Sequence, residues 1–225
     1  MQLEKLTEER SAEPKRGYDD ACGTAHALEL IGERWALLVL RELMLGPRRF
    51  SGLKTDLPGI SGNVLSQRLD DLEARGLVRK LRLPPPASVQ VYAATEWGLE
   101  AEPIVQALGR WAARSPRHDP TLPISGVSIL LSFRTMIDRE RARDIDARIG
   151  FRFGETGYIA RLRGGAIDVA RGEPAGCDVL FTAEPTALAA VVYGGAPLDS
   201  IGVEGDVALA RRFTTLFPLP QKVEA

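Results

Sequence analysis

The sequence predicts two folded units of different class, a mainly α-helical N-terminal domain and an α+β C-terminal domain. Residues 49–92 carry two helix patterns separated by a Pro-Gly stop, and two strand-like runs follow them. Residues 115–123 contain three prolines, which interrupt regular structure. After residue 124, short apolar runs alternate with glycine turns and then give way to two helix patterns, which is typical of an antiparallel sheet with helices on one face.

Composition restricts the interpretation to a soluble globular protein of one or two domains. The chain has 225 residues, of which 44% are hydrophobic and 26% charged, and its formal net charge is −1. There is no signal peptide or apolar run of membrane length, so we expect a cytoplasmic protein with no membrane partner. We assign residues 1–20 to a flexible arm, 21–114 to the helical domain, 115–123 to a linker and 124–225 to the α+β domain.

The central feature of the helical domain is a pair of helices joined by a tight turn. Apolar residues keep helical spacing from Phe50 to Leu57, and Pro58 with the following glycine ends that helix. Ser61 is a good N-cap for a second helix over 61–75, which Gly76 terminates. The order is helix, turn, helix.

The second helix has one apolar face and one polar face. Leu65, Leu69 and Leu72 share the apolar side. The opposite side carries Asn63, Ser66, Gln67 and Asp70. Short amide and hydroxyl groups can read base edges in the major groove of DNA, so Asn63, Ser66 and Gln67 are candidate base contacts. The alternative is a solvated polar face, which any amphipathic helix has.

A basic hairpin follows the helix pair. Residues 77–83 form a strand pattern with three cations, residues 89–93 form the returning strand, and Pro84–Pro86 join them. This is the layout of a winged helix-turn-helix, whose hairpin lies against phosphates. Residues 44–92 hold eight cationic and four acidic side chains, a local charge of +4. The candidate phosphate contacts are Arg48, Arg49, Ser61, Arg68, Arg79, Lys80 and Arg82.

Residues 20–114 resemble the HxlR-type bacterial transcription regulators. The motifs that carry the resemblance are Cys22, Gly32 with Trp35, Leu43 with Gly46, Arg49 and Phe50, the turn 57–61, then Leu65, Arg68, Leu69, Leu72, Glu73, Gly76, Leu77 and Val78, and finally Tyr92, Thr95, Glu96 and Gly98. The wing departs from the family pattern, because it has three prolines and an added Ala-Ser. The resemblance implies a dimeric DNA-binding regulator, most commonly a repressor.

Cys22 has two interpretations. In some members of the family that the chain resembles, an N-terminal cysteine senses thiol-reactive compounds, and a helix N-terminus favours the thiolate. The alternative is a small buried hydrophobic residue at a helix start, and we favour this one. Helices are predicted over 22–30 and 33–45, and in the second of them a core face is formed by Trp35, Leu38, Val39, Glu42 and Leu45.

A further helix is predicted from the cap at Thr95 to about Arg114, with a kink at Pro103. Its apolar stripe consists of Leu99, Pro103, Ile104, Ala107, Leu108 and Trp111. The stripe lies outside the compact winged core, so it either packs on a second subunit or covers the C-terminal domain. We favour a homodimer, which would place two copies of the 61–75 helix about 34–36 Å apart on a near-palindromic site.

The C-terminal domain is predicted to contain a helix over 124–137, strands over 146–153, 157–163, 166–171 and 178–182, and helices over 185–193 and 206–217. It resembles the sterol-carrier-protein-2-like fold through the strand 175–182, the helix that ends at Gly194–Gly195, and residues 201–206. Relatives of that fold enclose an apolar tunnel, which implies a pocket for an apolar small molecule. Its lining would be Val179, Phe181, Leu188, Val191, Val192, Leu209, Phe213 and Leu216. The alternative is a plain hydrophobic core.

The most consistent function is a DNA-binding transcription regulator with a C-terminal domain that senses an apolar effector. The alternative is a lipid or small-molecule carrier whose winged helix contacts proteins. We expect no enzymatic activity and no cofactor, because two scattered histidines and scattered acids form no catalytic constellation. We also expect no metal, since the two cysteines and two histidines lack the spacing of a zinc site.

Overall fold

The computed structural model describes residues 17–85 and 87–224. Most of the predicted arm, and Pro86 in the wing, lie outside the described residues. The N-terminal half consists of α1 (Gly23–Ile31), α2 (Ala36–Leu43), α3 (Phe50–Asp56), α4 (Gly62–Ala74), β1 (Val78–Arg82), β2 (Gln90–Ala94), α5 (Glu96–Leu99) and α6 (Glu102–Ala113).

The helix-turn-helix formed by α3 and α4 follows the sequence prediction. Gly59 takes the left-handed conformation, with φ of 90°, in the turn between the two helices. The Ser61 hydroxyl caps α4 by accepting a hydrogen bond from the Val64 amide at 3.2 Å. After the last turn of α4, Gly76 has φ of 75°, a conformation that glycine adopts without a steric penalty.

The predicted wing is also present, as the antiparallel pair β1 and β2. Val78 pairs with Ala94 at its base, and Arg82 pairs with Gln90 toward its tip. Arg48 adds an isolated bridge, because its amide and carbonyl both bond to Tyr92 at 2.8 Å. The segment before α3 is therefore tied to the wing.

Two helix predictions in this half need correction. The helix predicted over 33–45 starts only at Ala36, because Trp35 has φ of 77°, and Leu38 is 39% exposed although we placed it in the core. The single helix predicted from Thr95 to Arg114 is two helices, α5 and α6. Pro103 lies in the first turn of α6, where its missing N–H costs nothing, so it begins a helix instead of kinking one.

The C-terminal half consists of α7 (Gly126–Met136), β3 (Ala147–Phe153), β4 (Thr156–Arg163), β5 (Ala166–Arg171), β6 (Val179–Thr182), α8 (Pro185–Tyr193), a short 3₁₀ turn (Leu198–Ser200), β7 (Gly202–Gly205) and α9 (Val207–Thr214). The strands form a five-stranded sheet in the order β5-β4-β3-β6-β7.

The sheet is mixed, whereas the sequence predicted an antiparallel one. β3 and β6 run parallel, with Phe151 opposite Phe181, while the other pairs are antiparallel. A parallel pair needs a long crossover, and here β4 and β5 with the loop after them form that connection. β7 was not predicted as a strand because it is only four residues long and begins and ends with glycine.

Aromatic rings fill the interior between the sheet and its helices. Phe133 of α7 lies at the centre, and its ring centroid is 4.4 Å from that of Phe217, 5.4 Å from Phe213 and 5.8 Å from Phe151. Phe181 stacks on Phe151 at 5.7 Å. These five rings are almost completely buried, and pairs of this geometry stabilise a core beyond their buried area.

The two halves pack against each other along α6 and α7, and one cluster of buried apolar side chains runs through both. Arg134 of α7 donates to both carboxylate oxygens of Glu102 on α6, at 2.7 and 2.8 Å. The Glu42 carboxylate of α2 accepts from the Ser125 hydroxyl, which caps α7, at 2.8 Å. Near the C-terminus, the Val223 amide bonds to the Arg114 carbonyl at 2.8 Å.

None of the helices described is both long and apolar enough to cross a membrane.

Candidate nucleic-acid interface

The helix α4 presents its polar face to solvent. Leu65, Leu69 and Leu72 have no exposed surface, and on the opposite side of the helix Asn63, Ser66 and Gln67 are exposed. The three predicted base-contacting residues therefore share one accessible face. Ser61 is also exposed, and its oxygen already accepts the cap hydrogen bond, so its hydroxyl proton remains able to donate to an anion.

Three of the predicted phosphate contacts are exposed cations without a carboxylate partner in the described part of the chain. They are Arg49 at the start of α3 and Arg79 and Arg82 on β1. A guanidinium that is not already paired can bind a phosphate without first breaking an ion pair.

Lys80 is exposed as predicted, but it lies in a network with α4. Its ammonium is 2.9 Å from the Asp70 carboxylate and 2.8 Å from that of Glu73. Hydrogen bonds to Glu73 and Asp70 raise the pKa of Lys80, and the same contact with Lys80 lowers the pKa of Glu73. The Lys80 amide also donates to Glu73 at 3.1 Å, so this residue fastens the wing to α4.

Arg48 and Arg68 do not lie on the exposed surface where the sequence led us to expect them. The Arg48 side chain is 11% exposed and forms an ion pair with Asp56 at the end of α3. The Arg68 side chain is 9% exposed and lies 3.2 Å from carboxylate oxygens of both Glu33 and Asp71. Carboxylates hold both arginines away from solvent. Helical spacing could have revealed the pair of Arg68 with Asp71 on the same helix, but not the pair of Arg68 with the distant Glu33.

The turn between α1 and α2 forms a second border of α4 that sequence analysis missed. Arg34 and Trp35 line a groove of about 430 Å³ together with Ser61 and Gln67 of the α4 region. The Arg34 guanidinium lies over the Trp35 ring, 5.5 Å from its centroid. The Gly-x-x-Trp motif singled out Trp35 as a core residue but gave no sign that its neighbour Arg34 borders α4.

Large apolar side chains are exposed on α5 and α6. The exposed large side chains there are Trp97, Leu99, Ile104, Leu108 and Trp111, and Trp111 is 73% exposed. Other residues of α6 face α7, including Val105 and Ala113 of the shared core and the polar contacts of Glu102 with Arg134 and of the Arg110 guanidinium with the Thr135 carbonyl. The apolar stripe is therefore not what joins α6 to the C-terminal half.

Cys22 is exposed at the start of α1, so it is not the buried hydrophobic residue that we favoured. Hydrogen bonds from the backbone amides of Thr24 and Ala25 lower the pKa of its thiol. Cys177 is only partly exposed, and burial raises the pKa of its thiol. Within residues 17–85 and 87–224, no three His, Cys, Asp or Glu side chains come together in a way that could hold a metal ion.

Seven of the eight predicted pocket residues belong to one apolar cluster, whereas Val191 of α8 is buried outside it. Six of them are buried, and Val192 and Leu209 are partly buried. Phe181 and Phe213 belong to the packed aromatic cluster, with centroids 5.5 Å apart. A ligand in this region would have to displace side chains of the core.

The known proteins that match this chain match its N-terminal half. The model of the family described as HxlR-like helix-turn-helix matches residues 30–119. The uncharacterized HTH-type transcriptional regulator YkvN of Bacillus subtilis is 45% identical over 92 residues, which are 40% of this chain and 77% of that protein. The HTH-type transcriptional regulator YodB of the same organism is 35% identical over 86 residues, 38% of this chain and 77% of that protein.

Among solved structures, the reduced form of YodB from B. subtilis matches with 32% identity and a TM-score of 0.39, covering 44% of this chain and 98% of that one. The family match ends at residue 119, before α7 begins. With more than two thirds of YkvN covered at 45% identity, the chain belongs to the HxlR-like helix-turn-helix family of transcription regulators.

Proposed function

We propose that the protein is a dimeric DNA-binding transcription repressor that reads a near-palindromic operator through α4 and the wing. The observation that carries this proposal is the accessible face of α4, where Asn63, Ser66 and Gln67 are exposed over a fully buried leucine face. Asn and Gln can bond to adenine through two hydrogen bonds, and Ser can donate or accept, so this face has the chemistry of base reading.

Phosphate contacts would hold α4 in the groove. Arg49, Arg79 and Arg82 are exposed and unpaired in the described part of the chain, so they bind phosphates directly, and the Ser61 hydroxyl donates at the start of α4. Lys80 is the fifth contact, and it would exchange one of its two carboxylates for a phosphate. Arg48 and Arg68, which we had assigned to phosphates, act from beneath the surface by fixing α3 and α4.

Dimerisation would use the apolar surface of α5 and α6. Five large apolar side chains are exposed there, and a second copy of the chain is a partner that can bury them symmetrically. In such a dimer, two α4 helices would meet the same face of DNA about one helical turn apart. A protein bound across an operator blocks transcription by occupying the site, which is the reason for proposing repression.

The C-terminal half would act as the effector domain, with a sterol-carrier-protein-2-like fold. Its interior is apolar and includes seven of the eight predicted residues, which supports an apolar small molecule as the class of effector. Such a molecule would bind by displacing core side chains. Such a molecule would regulate DNA binding only if it bound the DNA-competent and incompetent states with different affinity. The packing of α6 against α7 gives a direct route from this domain to the proposed dimer helix.

Cys22 would be a second input, as a sensor of thiol-reactive compounds. It is exposed, and the lowered pKa of its thiol increases the thiolate fraction near neutral pH. Modification at this position would alter the start of α1.

The primary test is a salt-titrated binding isotherm on DNA from upstream of the protein's own gene, with a scrambled duplex of equal length as control. We expect tight binding to the upstream DNA alone, with log affinity falling steeply as log salt rises. Weak and equal binding to both duplexes would contradict the proposal and favour the alternative, a lipid or small-molecule carrier.

Two substitutions separate base reading from phosphate binding. Gln67→Ala should lose affinity for the operator by about 1–3 kcal/mol and barely change binding to scrambled DNA, because only a base contact is lost. Lys80→Ala should weaken binding to both duplexes alike, because the charges of Asp70 and Glu73 are then uncompensated beside DNA. Equal losses on both duplexes for Gln67→Ala would rule out its role as a base contact.

A further inference from the structure

The helix α4 has two flanks, and only one of them lies beside the wing. Lys80 of β1 reaches Glu73, which places the wing on one side. On the other side, Arg68 and Arg75 of α4 face the turn that joins α1 to α2. An α-helix with its side chains is about 10–12 Å wide and the major groove is about 12 Å wide, so a helix in the groove meets a phosphate strand on each flank.

Most of the positive charge on the flank without the wing is already engaged. The nine-tenths buried Arg68 lies between the carboxylates of Glu33 and Asp71, at 3.2 Å from each. The Arg75 guanidinium donates to the Leu30 carbonyl at 2.9 Å, near the end of α1. Arg34 is exposed and has no carboxylate within ion-pair distance among the residues described. It is the cation on this flank that can take a phosphate.

The backbone holds Arg34 in place through its neighbour Trp35. Trp35 has φ of 77°, a left-handed conformation that is unfavourable for a bulky side chain and persists only where packing imposes it. Its ring faces Gly59 in the turn before α4, where a Cβ would lie 3.8 Å from the ring. The Arg34 guanidinium lies over the same ring. The strained turn thus fixes a cation at the edge of the groove that contains Ser61 and Gln67.

We propose that Arg34 binds a DNA phosphate on the flank of α4 opposite the wing, so that α4 is clamped between two phosphate strands. This inference rests on the proposed DNA-binding function and adds a contact to it. Arg68 is the positioning residue of this flank, because it neutralises Glu33 and Asp71, whose charges would otherwise repel the phosphate. A guanidinium stacked on an aromatic ring keeps its N–H groups directed outward for such a contact.

The test is a salt titration of Arg34→Gln with the upstream duplex and the scrambled duplex. Loss of one phosphate contact should reduce affinity about tenfold for each protomer engaged, and so about a hundredfold for a bound dimer, on both duplexes, as expected for a charge-assisted hydrogen bond. The slope of log affinity against log salt should become shallower by about 0.9 for each protomer engaged, or about 1.8 for a bound dimer. Arg34→Lys should recover most of the slope, because it retains the charge.

Arg139→Gln is the matched control, since Arg139 is an exposed arginine of the C-terminal half without an ion pair among the described residues. It should leave both affinity and slope unchanged. A wild-type slope in Arg34→Gln, with operator binding intact, would overturn the phosphate contact while leaving the proposed function standing. So would a loss confined to the upstream duplex, which would indicate an effect on base reading. If wild-type protein shows no preference for the upstream duplex, the proposed function itself fails. An unchanged thermal midpoint confirms that the variant is folded.

Discussion

The two halves of the chain differ in how many of their exposed arginines form ion pairs. In the C-terminal half, five of the eight exposed arginines among the described residues lie within ion-pair distance of a carboxylate, in the pairs Arg141–Asp138, Arg143–Glu140, Arg161–Asp146, Arg163–Asp146 and Arg212–Asp144. In the N-terminal half, Arg34, Arg49, Arg79 and Arg82 are exposed without such partners among the described residues. The sequence has nearly equal numbers of cations and acids, so the difference arises from their placement.

In a protein with a formal net charge of −1, the anion-binding surface is expected where exposed arginines lack carboxylate partners. A paired arginine has to give up a carboxylate before it can bind a phosphate, whereas an unpaired one exchanges only water and counterions.

The hydrophobic cores of the two halves also differ in composition. The N-terminal core is built mainly from leucines on α2, α3 and α4, while the C-terminal core is centred on five phenylalanines.

The largest expected effect comes from removing the central ring of the C-terminal core. Phe133→Ala should lower the free energy of unfolding by about 3–5 kcal/mol, because Phe133 is fully buried against Phe151, Phe213 and Phe217. All three tryptophans lie in the N-terminal half, so their fluorescence reports that half alone. If the shared core couples the halves, denaturant titrations should show the tryptophan signal shifting with the circular dichroism signal.

Separate transitions in that experiment would contradict the coupling and show that the halves unfold independently. Phe133→Leu is the conservative control, and it should shift the same transition by a smaller amount because most of the buried volume is retained.

The next largest effect concerns the contact between the halves. Arg134 is 16% exposed and joins Glu102 on α6 to Asp168 and the Val169 carbonyl on β5. Arg134→Ala should cost about 2 kcal/mol, since Glu102 would be left in a mostly buried position without its cation. Arg152→Ala, which removes a more exposed pair with Glu173, should cost less than about 1 kcal/mol. Urea unfolding of both variants measures the difference, and equal losses would show that Arg134 is an ordinary surface pair.

The features that the sequence predicted correctly are those set by local chemistry. Ser61 and Thr95, both predicted as helix caps, each accept a hydrogen bond from an amide three residues later, and so does Asp206 at the first residue of the helix predicted over 206–217. The leucine face of α4 was predicted from helical periodicity alone. These patterns depend on residues within about one or two helical turns of each other, so a short stretch of sequence is enough to predict them.

The features that the sequence could not predict depend on distant partners. Arg68 has the spacing of a surface residue, but Glu33, 35 positions earlier in the sequence, lies beside it in the buried pair. The parallel pairing of β3 with β6 is set by the crossover between them. At Trp35 the left-handed backbone is imposed by packing, so the early start of the predicted 33–45 helix was wrong. The same dependence on tertiary contacts hid Arg34 as a candidate contact.

A smaller effect is expected from Glu42, the buried carboxylate between the halves. Burial raises the pKa of Glu42 above its ordinary 4.5, although Arg41 and Ser125 oppose this. The folded state therefore holds a proton more tightly than the unfolded state, and the contribution of Glu42 to stability is fully present below pH 4.5. It is lost as the pH rises through the folded pKa, because ionisation then leaves a buried charge.

Glu42→Gln removes that titration while keeping the shape of the side chain. Its stability relative to wild type should rise as the pH increases from 4.5 toward neutrality, which urea unfolding at a series of pH values measures. A constant difference across the series would indicate that Glu42 has the same pKa in the folded and unfolded states.

The smallest expected effect is a difference in thiol reactivity between the two cysteines, one of which lies in each half. Cys22 is exposed and has a lowered thiol pKa, whereas Cys177 is partly buried and has a raised one. Because the thiolate is the nucleophile, iodoacetamide at neutral pH should modify Cys22 several times faster than Cys177. Mass spectrometry of the two peptides over time gives both rates, and Cys22→Ser confirms the assignment. Equal rates would remove the chemical basis for a sensor at Cys22. If Cys22 is faster, modified protein should then be compared with Cys22→Ser in the operator-binding titration, because a thiol sensor must change DNA affinity as well as react.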